Sequence, residues 1–430
     1  MDGSCNGPWI LAEVPIFAFM STATDRLFSI FYIRLLMTRR ATFFILTILW
    51  MASCSEPLKD GFIDQTLEHC IPKVKASANS LVEADRMPRN ITPGEVEWKT
   101  VGVHDWTSGF WPGILWYAYE YSGEESLKKE AEKFTEPIAL IANSSAQDHD
   151  IGFQVYCSYG NGYRLTGNKA YKEVILKAAD TLATLYNPVV GAIHSWPYRE
   201  EYPHNTIIDN MMNLELLFWA SKNGGSKNLY DIAERHAETT MKTIVRSDFS
   251  TYHVGVYDTV DGHFIKGVTN QGYAHDSQWA RGQAWAIYGF AMSHRETGRS
   301  DFLNASKKLA DVFLDHLPED GIPYWDFDDP AIPDAPKDAS AACIAACGML
   351  ELSALLESQV EKEKYKNAAV DLIEKLSTDE YLSREKNLAI LLHSTGNHPK
   401  GREIGVPIIY ADYYFMEALL RLKKMQFAGE

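Results

Sequence analysis

Basic residues are in deficit in this sequence. Its 430 residues carry 41 Lys and Arg against 57 Asp and Glu, a net charge of −16. That balance excludes recognition of a nucleic-acid backbone, which rewards a basic face. It also gives no long-range attraction to a polyanion, so an anionic ligand has to be small and caught by local cations. Cysteine is scarce, with six in all. Cys343 and Cys347 stand four apart in SAACIAACGMLEL, with no His or acidic cluster beside them. This is not zinc spacing, and they read as small core residues. No histidine pair has HExxH spacing, so a metal site is not expected. Long apolar runs are missing too. RLFSIFYIRLL is broken by arginines, and Ala41 to Trp50 is too short for a comfortable membrane span.

That short run has another reading. In MTRRATFFILTILWMASCSEP a basic head, Arg39-Arg40, precedes it, and Ala52-Ser53-Cys54 closes it with small residues. This is the pattern of a bacterial lipoprotein signal, with Cys54 as the lipidated first mature residue. The plainer alternative is an ordinary signal peptide in which Cys54 is incidental. Residues 1–36 then precede the true start, 37–54 are the signal, and 55–430 form one catalytic domain. The expected location is periplasmic, with the membrane reached only through the lipid.

What the chain has in abundance is apolar helix. Hydrophobic residues make up 46% of it, enough for a large core. Past Cys54, two kinds of helix alternate. One is charged and amphipathic, as in EESLKKEAEKFTEPIALIA and DFLNASKKLADVFLDHL. The other is nearly uncharged along its body, as in GFWPGILWYAYEY, NMMNLELLFWAS and AACIAACGMLELSALL. Helices apolar on most sides are buried, and amphipathic ones cover them. About six of each, with a period on the order of 60 residues, predict an all-α (α/α)6 barrel; an open helical solenoid is the alternative.

The connections are unequal. Returns after the apolar helices are brief, as in SGEE, TGNK and ETGRS, whereas those before them are long, as in 188–208 and 247–276. Parallel inner helices bring those long loops to one rim, where function usually sits. Asp150 in HDIGF and Asp209 in IIDNMMN stand at the first turns of two successive inner helices. Either alone reads as an N-cap. Together they form a carboxylate pair at one cavity, as glycosidic acid/base chemistry requires. A helix N-terminus favours the ionised carboxylate, while burial and a like-charged neighbour oppose it. One Asp is expected to stay ionised and the other to be raised. Arg281, inside an otherwise uncharged helix, reads either as a clamp for a substrate carboxylate or as a structural partner of a rim acid such as Asp276. Trp285, four residues on, reads as a stacking platform or as ordinary core.

DWTSGFWPGILW, HDIGF, IIDNMMNLELLFWAS, HDSQWARGQAWAIYGF and VPIIYADYYFMEALLRL together resemble the unsaturated glucuronyl hydrolases of glycoside hydrolase family 88. The resemblance spans roughly residues 60–425. It implies removal of a 4,5-unsaturated glucuronate from fragments that a polysaccharide lyase leaves of chondroitin, hyaluronan or heparin-type chains. By position in the motifs, Asp209 matches the general acid/base and Asp150 the supporting carboxylate. Trp106 or Trp111, His149, Trp196, His253, Gln271, Arg281 and Trp285 match pocket positions. No metal or cofactor is implied. The segment LHSTGNHPKGREIG departs from the family's Gly-rich stretch; Ser394, Thr395, His398 and Lys400 there are candidates to reach the second sugar or a sulfate on it. The related unsaturated rhamnogalacturonyl hydrolases are the alternative, with a sugar epimerase and a catalytically silent sugar-binding protein as readings of other classes.

Overall fold

The computed structural model describes residues 61–427, so Cys54 and the segments 1–36 and 37–54 lie outside the described residues. Twelve principal helices follow one another in an outer–inner alternation. The outer set is α1 (Phe62–Ser80), α3 (Glu125–Thr135), α5 (Lys169–Ala183), α7 (Asn228–Thr243), α9 (Ser300–Asp315) and α11 (Gln359–Leu376). The inner set is α2 (Phe110–Ser122), α4 (a π-helix, Gly152–Gly160, running into Asn161–Thr166), α6 (Asn210–Lys222), α8 (Ala280–Thr297), α10 (Ala339–Leu355) and α12 (Ile409–Phe427).

Side-chain burial separates the two sets. On α9, Phe302, Ala305, Leu309, Ala310 and Phe313 are buried, a stripe at helical spacing, while the charged face stays wet. On α10 every residue from Ala339 to Ser353 is buried. Each inner helix packs on the next, and α12 packs back on α2, so the ring closes into the expected barrel. The small residues of α10 let it approach α8 closely: a Cβ on Gly348 would stand 2.9 Å from the Tyr288 backbone. Cys343 and Cys347 are both buried and free, and the Cys347 thiol donates to the Tyr414 carbonyl of α12 at 3.2 Å. The brief returns stop their helices with a left-handed glycine, as at Gly123 (φ 69°), whose N–H caps the Tyr119 carbonyl.

The long connections contain strand pairs that helical periodicity does not announce. β1 (Arg86–Asn90) pairs with β2 (Lys99–Gly102), and the two-residue strands β3 (Tyr186–Asn187) and β4 (Ala192–Ile193) pair with each other. β5 (His204–Ile207), β6 (Val254–Tyr257) and β7 (Phe264–Val268) form a three-stranded antiparallel sheet, with Ile207 opposite Val254 and Val254 opposite Val268. Trp196, Ile207, Val254, Val256 and Val268 make its own small core. Buried extended loops have to satisfy their backbone groups, and pairing does so. The sheet delivers the end of β5 to α6 and holds it beside β6, through a hydrogen bond from Ile208 N–H to the His253 carbonyl (3.0 Å).

Gly109, at the start of α2, is where α2 meets α4. A Cβ there would lie 2.2 Å from the carbonyl oxygens of both Phe153 and Gln154. Neither backbone atom can swing aside, so Gly109→Ala should cost at least about 1–3 kcal/mol, the usual scale for overpacking. Gly123→Ala, strained in φ but open in space, should cost about 1 kcal/mol. Denaturant unfolding of the two variants checks this; parental stability in Gly109→Ala would show that α2 and α4 do not meet so closely.

Candidate active site

The N-terminal ends of the inner helices converge on a cavity of about 310 Å³. Trp106 reaches it from just before α2, Asp150 and Phe153 from the start of α4, Asp209 from the turn into α6, Arg281 from α8 and Tyr410 from α12. The connecting segments add Trp196, Arg199, Gln271, Lys400 and Arg402. The two aspartates therefore share one cavity at one rim. Neither acts as a side-chain cap: Asp209 precedes α6 without a capping hydrogen bond, and the residue flanking the start of α4 is Ile151.

Desolvation dominates both carboxyls. Burial raises Asp209 to about 7, against the lowering influence of Arg281 and of the Trp285 indole. Burial, then Asp148, Asp209 and Asp105, pushes Asp150 well above the usual carboxylate range. Both carboxyls are therefore raised, where only one was expected to be. The helix-end field is too weak to offset the loss of water around either group.

The neighbouring histidines set the hydrogen positions. His253 Nδ1 accepts the backbone N–H groups of Asn270 and Gln271, each at 3.2 Å. The neutral ring then carries its proton on Nε2, which stands 3.6 Å from Asp209 Oδ2. Burial, followed by Arg281, drives His253 well below its ordinary value and keeps it neutral. His149 has the opposite tautomer: Nδ1 donates to the Ser195 carbonyl at 3.1 Å. Its Nε2 lone pair therefore faces Asp150 Oδ1 at 3.3 Å. Burial lowers His149 to about 4, so the proton that relieves this contact sits on Asp150. Asp209 Oδ2 and His253 Nε2 are both buried without a hydrogen bond. Such a concentration of unsatisfied polar atoms marks a site built for a ligand that supplies the missing partners.

Arg281 is buried and held by the protein. Its Nη1 donates to Asp338 Oδ2 (2.5 Å) and the Thr395 carbonyl (2.6 Å), and its Nη2 to the Gly396 carbonyl (2.6 Å). The structural partner is Asp338, not Asp276. The guanidinium lies over Trp279 at 4.5 Å, and it retains one cavity-lining edge. Asp338 also accepts from Ser340 N–H, so one buried carboxylate caps α10 and anchors Arg281.

Of the residues expected in the pocket, Trp106, His149, Trp196, Gln271, Arg281 and Lys400 line the cavity, and His253 stands behind Asp209. Three are corrected. Trp111 points outward onto Phe134 of α3 and is 2% exposed, so it belongs to the core. Trp285 lies beneath Phe153 and against Tyr414, at 5.2 and 5.3 Å between ring centroids, and presents no face for stacking. Ser394 is buried in a backbone pairing with Val406 and does not line the cavity. Thr395 is spent on the Lys337 carbonyl, and His398 stacks on Trp325 at 4.4 Å.

Several lining residues carry no motif signal. Arg89, on β1, donates to both oxygens of Glu403 (2.7 and 3.0 Å) and to Asp105 (2.8 Å), and stands over Trp106 at 5.4 Å. Arg199 covers Trp196 at 4.2 Å and donates to Asn270. Lys400 and Arg402 make no ion pair among the described residues, and the nearby Arg199 and Arg402 add to burial in lowering Lys400. The mouth of the cavity is therefore cationic in an acidic protein. Asp148, His149 and Asp150 also bring three potential metal-ligand atoms within 4.8 Å of one another. Asp148 Oδ1 is already engaged by the Asp150 N–H at 3.1 Å.

A family model described as Glycosyl Hydrolase Family 88 matches residues 79–425. The unsaturated glucuronyl hydrolase of Formosa agariphila is 42% identical over 355 residues, 81% of this chain and 87% of that protein. A solved unsaturated glucuronyl hydrolase specific for heparin superposes with a TM-score of 0.82 at 39% identity, covering 86% of this chain and 98% of its own. An aspartate-to-asparagine variant of the Streptococcus agalactiae enzyme, complexed with dGlcA-GalNAc6S, matches with a TM-score of 0.74 at 30% identity, over 86% of this chain and 93% of that one. On this evidence the chain belongs to glycosyl hydrolase family 88 and is an enzyme of the unsaturated glucuronyl hydrolase type.

Proposed function

We propose that Asp209 is the proton donor that hydrates the 4,5-double bond of a terminal unsaturated glucuronate, in fragments left by a polysaccharide lyase from a sulfated glycosaminoglycan. The observation that carries this is Asp209 itself. It is a carboxyl raised to about 7, with one oxygen unpartnered, facing a neutral histidine in a sugar-sized cavity. Near neutral pH such a group both gives and takes a proton. The double bond is an enol ether. Asp209 delivers its proton to carbon 4, leaving positive charge shared between carbon 5 and the ring oxygen. Water adds to carbon 5 and returns a proton to the Asp209 carboxylate. The resulting hemiketal opens, and the former anomeric carbon, now a hemiacetal, releases the second sugar. Asp150, protonated toward His149, accepts from the sugar hydroxyls through its other oxygen and keeps a second negative charge away from Asp209. Trp106 and Trp196 offer aromatic surface to the ring. Arg281 presents its remaining edge to the uronate carboxylate.

The cationic mouth supports an acidic second sugar. Arg199, Lys400 and Arg402 line that mouth, and a sulfate would meet the charges of Lys400 and Arg402, which make no ion pair among the described residues. We also infer that the enzyme is exported and anchored through lipid on Cys54, which places it in the periplasm alongside the lyase. Arg39-Arg40, the apolar run after them and Ala52-Ser53-Cys54 support this.

Asp209→Asn should lower kcat about a hundred- to ten-thousandfold with the fold intact. In heavy water the parent enzyme should place deuterium on carbon 4, and an unlabelled carbon 4 would exclude this route. The parent's kcat/KM should fall as pH rises past about 7, because the donor must begin protonated. Stability follows the same titration. The folded state holds a proton on Asp209 that the unfolded chain releases near pH 4, so stability declines from about pH 4 to about 7 and then levels. Asp209→Asn lacks this decline, and its melting temperature should gain on the parent's across that window.

Lys400→Ala and Arg402→Ala should each raise KM for a sulfated disaccharide, roughly twofold to fivefold, with kcat unchanged. Added salt should have the same effect on the parent. Equal KM values for sulfated and unsulfated disaccharides in the parent would remove the sulfate from this reading. Mass spectrometry of the mature protein should find a diacylglycerol-modified Cys54 at its N-terminus; an unmodified Cys54 would exclude the anchor.

A further inference from the structure

The barrel has a second cavity, at the end opposite the proposed catalytic one. It is larger, about 500 Å³, and the two share Phe153 alone as a lining residue. Its walls come from α2, α4, α6, α8 and α12. Nothing in the proposed reaction uses it, yet it is not an apolar void of the kind that imperfect packing leaves.

Three features describe what it would hold. Aromatic faces dominate the lining, with Trp219 near the opening against Tyr156 (6.2 Å) and Tyr163 (5.4 Å). Tyr414, only 2% exposed, lines the cavity with a hydroxyl that has no hydrogen-bond partner among the described residues. The same holds for the hydroxyls of Tyr156 and Tyr163. These hydroxyls open into the cavity without a protein partner and are free to bond to a polar ligand.

The third feature is charge. Glu215, Glu351 and Glu417 share two guanidinium groups: Arg295 bonds Glu215 (2.5 Å) and Glu351 (2.6 Å), and Arg421 bonds Glu351 (2.6 Å) and Glu417 (2.7 Å). Glu215 and Glu417 line the cavity, and each makes its hydrogen bonds through Oε1 alone among the described residues. The free oxygens accept hydrogen bonds, while the Arg421 guanidinium is already engaged by carboxylates, so an anionic group finds no free cation there. Arg164, the other cation of the lining, is occupied by Glu120 through both oxygens (2.8 and 2.6 Å).

Stacking surface, unpartnered hydroxyls and free carboxylate oxygens suit a ring that carries hydroxyls and no negative charge. We propose that this basal cavity is a non-catalytic binding site for a neutral or amino-bearing pyranose. It selects against the acidic sugar that the cationic mouth at the other end attracts. A pyranose held there rests against the opposite side of Phe153, the residue that lines both cavities.

Isothermal titration of the full chain with methyl glucoside, glucosamine and glucuronate tests this. Trp106→Ala disables the catalytic cavity, and Trp219→Ala the basal one. The first two sugars should bind the parent and Trp106→Ala alike, and at least tenfold more weakly to Trp219→Ala. Glucuronate should not bind to Trp106→Ala. Trp219→Ala should keep its hydrolytic activity. Should that variant fold poorly, Tyr414→Phe, which removes only an unpartnered hydroxyl, should keep parental stability and lose affinity about threefold or more. Absence of millimolar binding in the parent, binding lost in Trp106→Ala but kept in Trp219→Ala, or equal binding of glucuronate to Trp106→Ala would each overturn the proposal.

Discussion

Closing six apolar helices into a ring removes every lateral exit for a polar group. Water reaches the inner helices only at their ends, so chemistry is confined to two mouths. This constraint governs the rest of the molecule. Parallel inner helices gather all six N-termini at one mouth, and the long connections have to gather there with them. The short glycine-capped returns leave the other mouth open and shallowly covered. Burial at both ends is deep enough that each ionisable side chain takes its state from its few neighbours rather than from solvent.

At the N-terminal mouth, desolvation prevails over the helix-end field. A helix N-terminus is worth about 0.3–1 kcal/mol to a carboxylate at an exposed surface. Full burial shifts a carboxyl by several times that. Asp150 and Asp209 consequently both rise, and their difference comes from partners. Asp150 shares a proton with a histidine whose other nitrogen is tied to the Ser195 carbonyl. Asp209 faces a histidine of the opposite tautomer and the positive charge of Arg281. Three backbone contacts, one to the His149 imidazole and two to that of His253, thus separate the roles of two otherwise similar carboxyls.

The buried arginines show how such a structure keeps charges without leaving them unpaired. Arg281 is fixed by Asp338 and two carbonyls, Arg89 by Glu403 and Asp105, and Arg421 by two glutamates. Removing one partner from a pair of this kind costs far more than the pair contributes. Lys400 and Arg402, which make no ion pair among the described residues, stand at the catalytic mouth. Glu215 and Glu417, each with one oxygen that makes no hydrogen bond among the described residues, stand at the other. The barrel is thus polarised end to end in what each mouth accepts.

Local pattern determined a great deal. Alternating charged and apolar helices named the barrel, unequal loop lengths named the functional rim, and Asp150 and Asp209 were legible because both stand where a long connection enters an inner helix. These are properties of periodicity and of position along the chain, which a sequence carries directly. The rest depended on which side chains meet across the ring. Trp111 and Trp285 sit in motifs as aromatic as that of Trp106, yet helical phase turns the first outward and covers the second with Phe153. Arg281 was identifiable as a cation needing an anion, but Asp338 lies 57 residues away and only closure brings it there. The three-stranded sheet that presents His253 to Asp209 joins segments some fifty residues apart. The proton positions, the cationic mouth and the basal cavity follow from such distant contacts, because desolvation and pairing are set by what surrounds a group in space rather than by what precedes it in the chain.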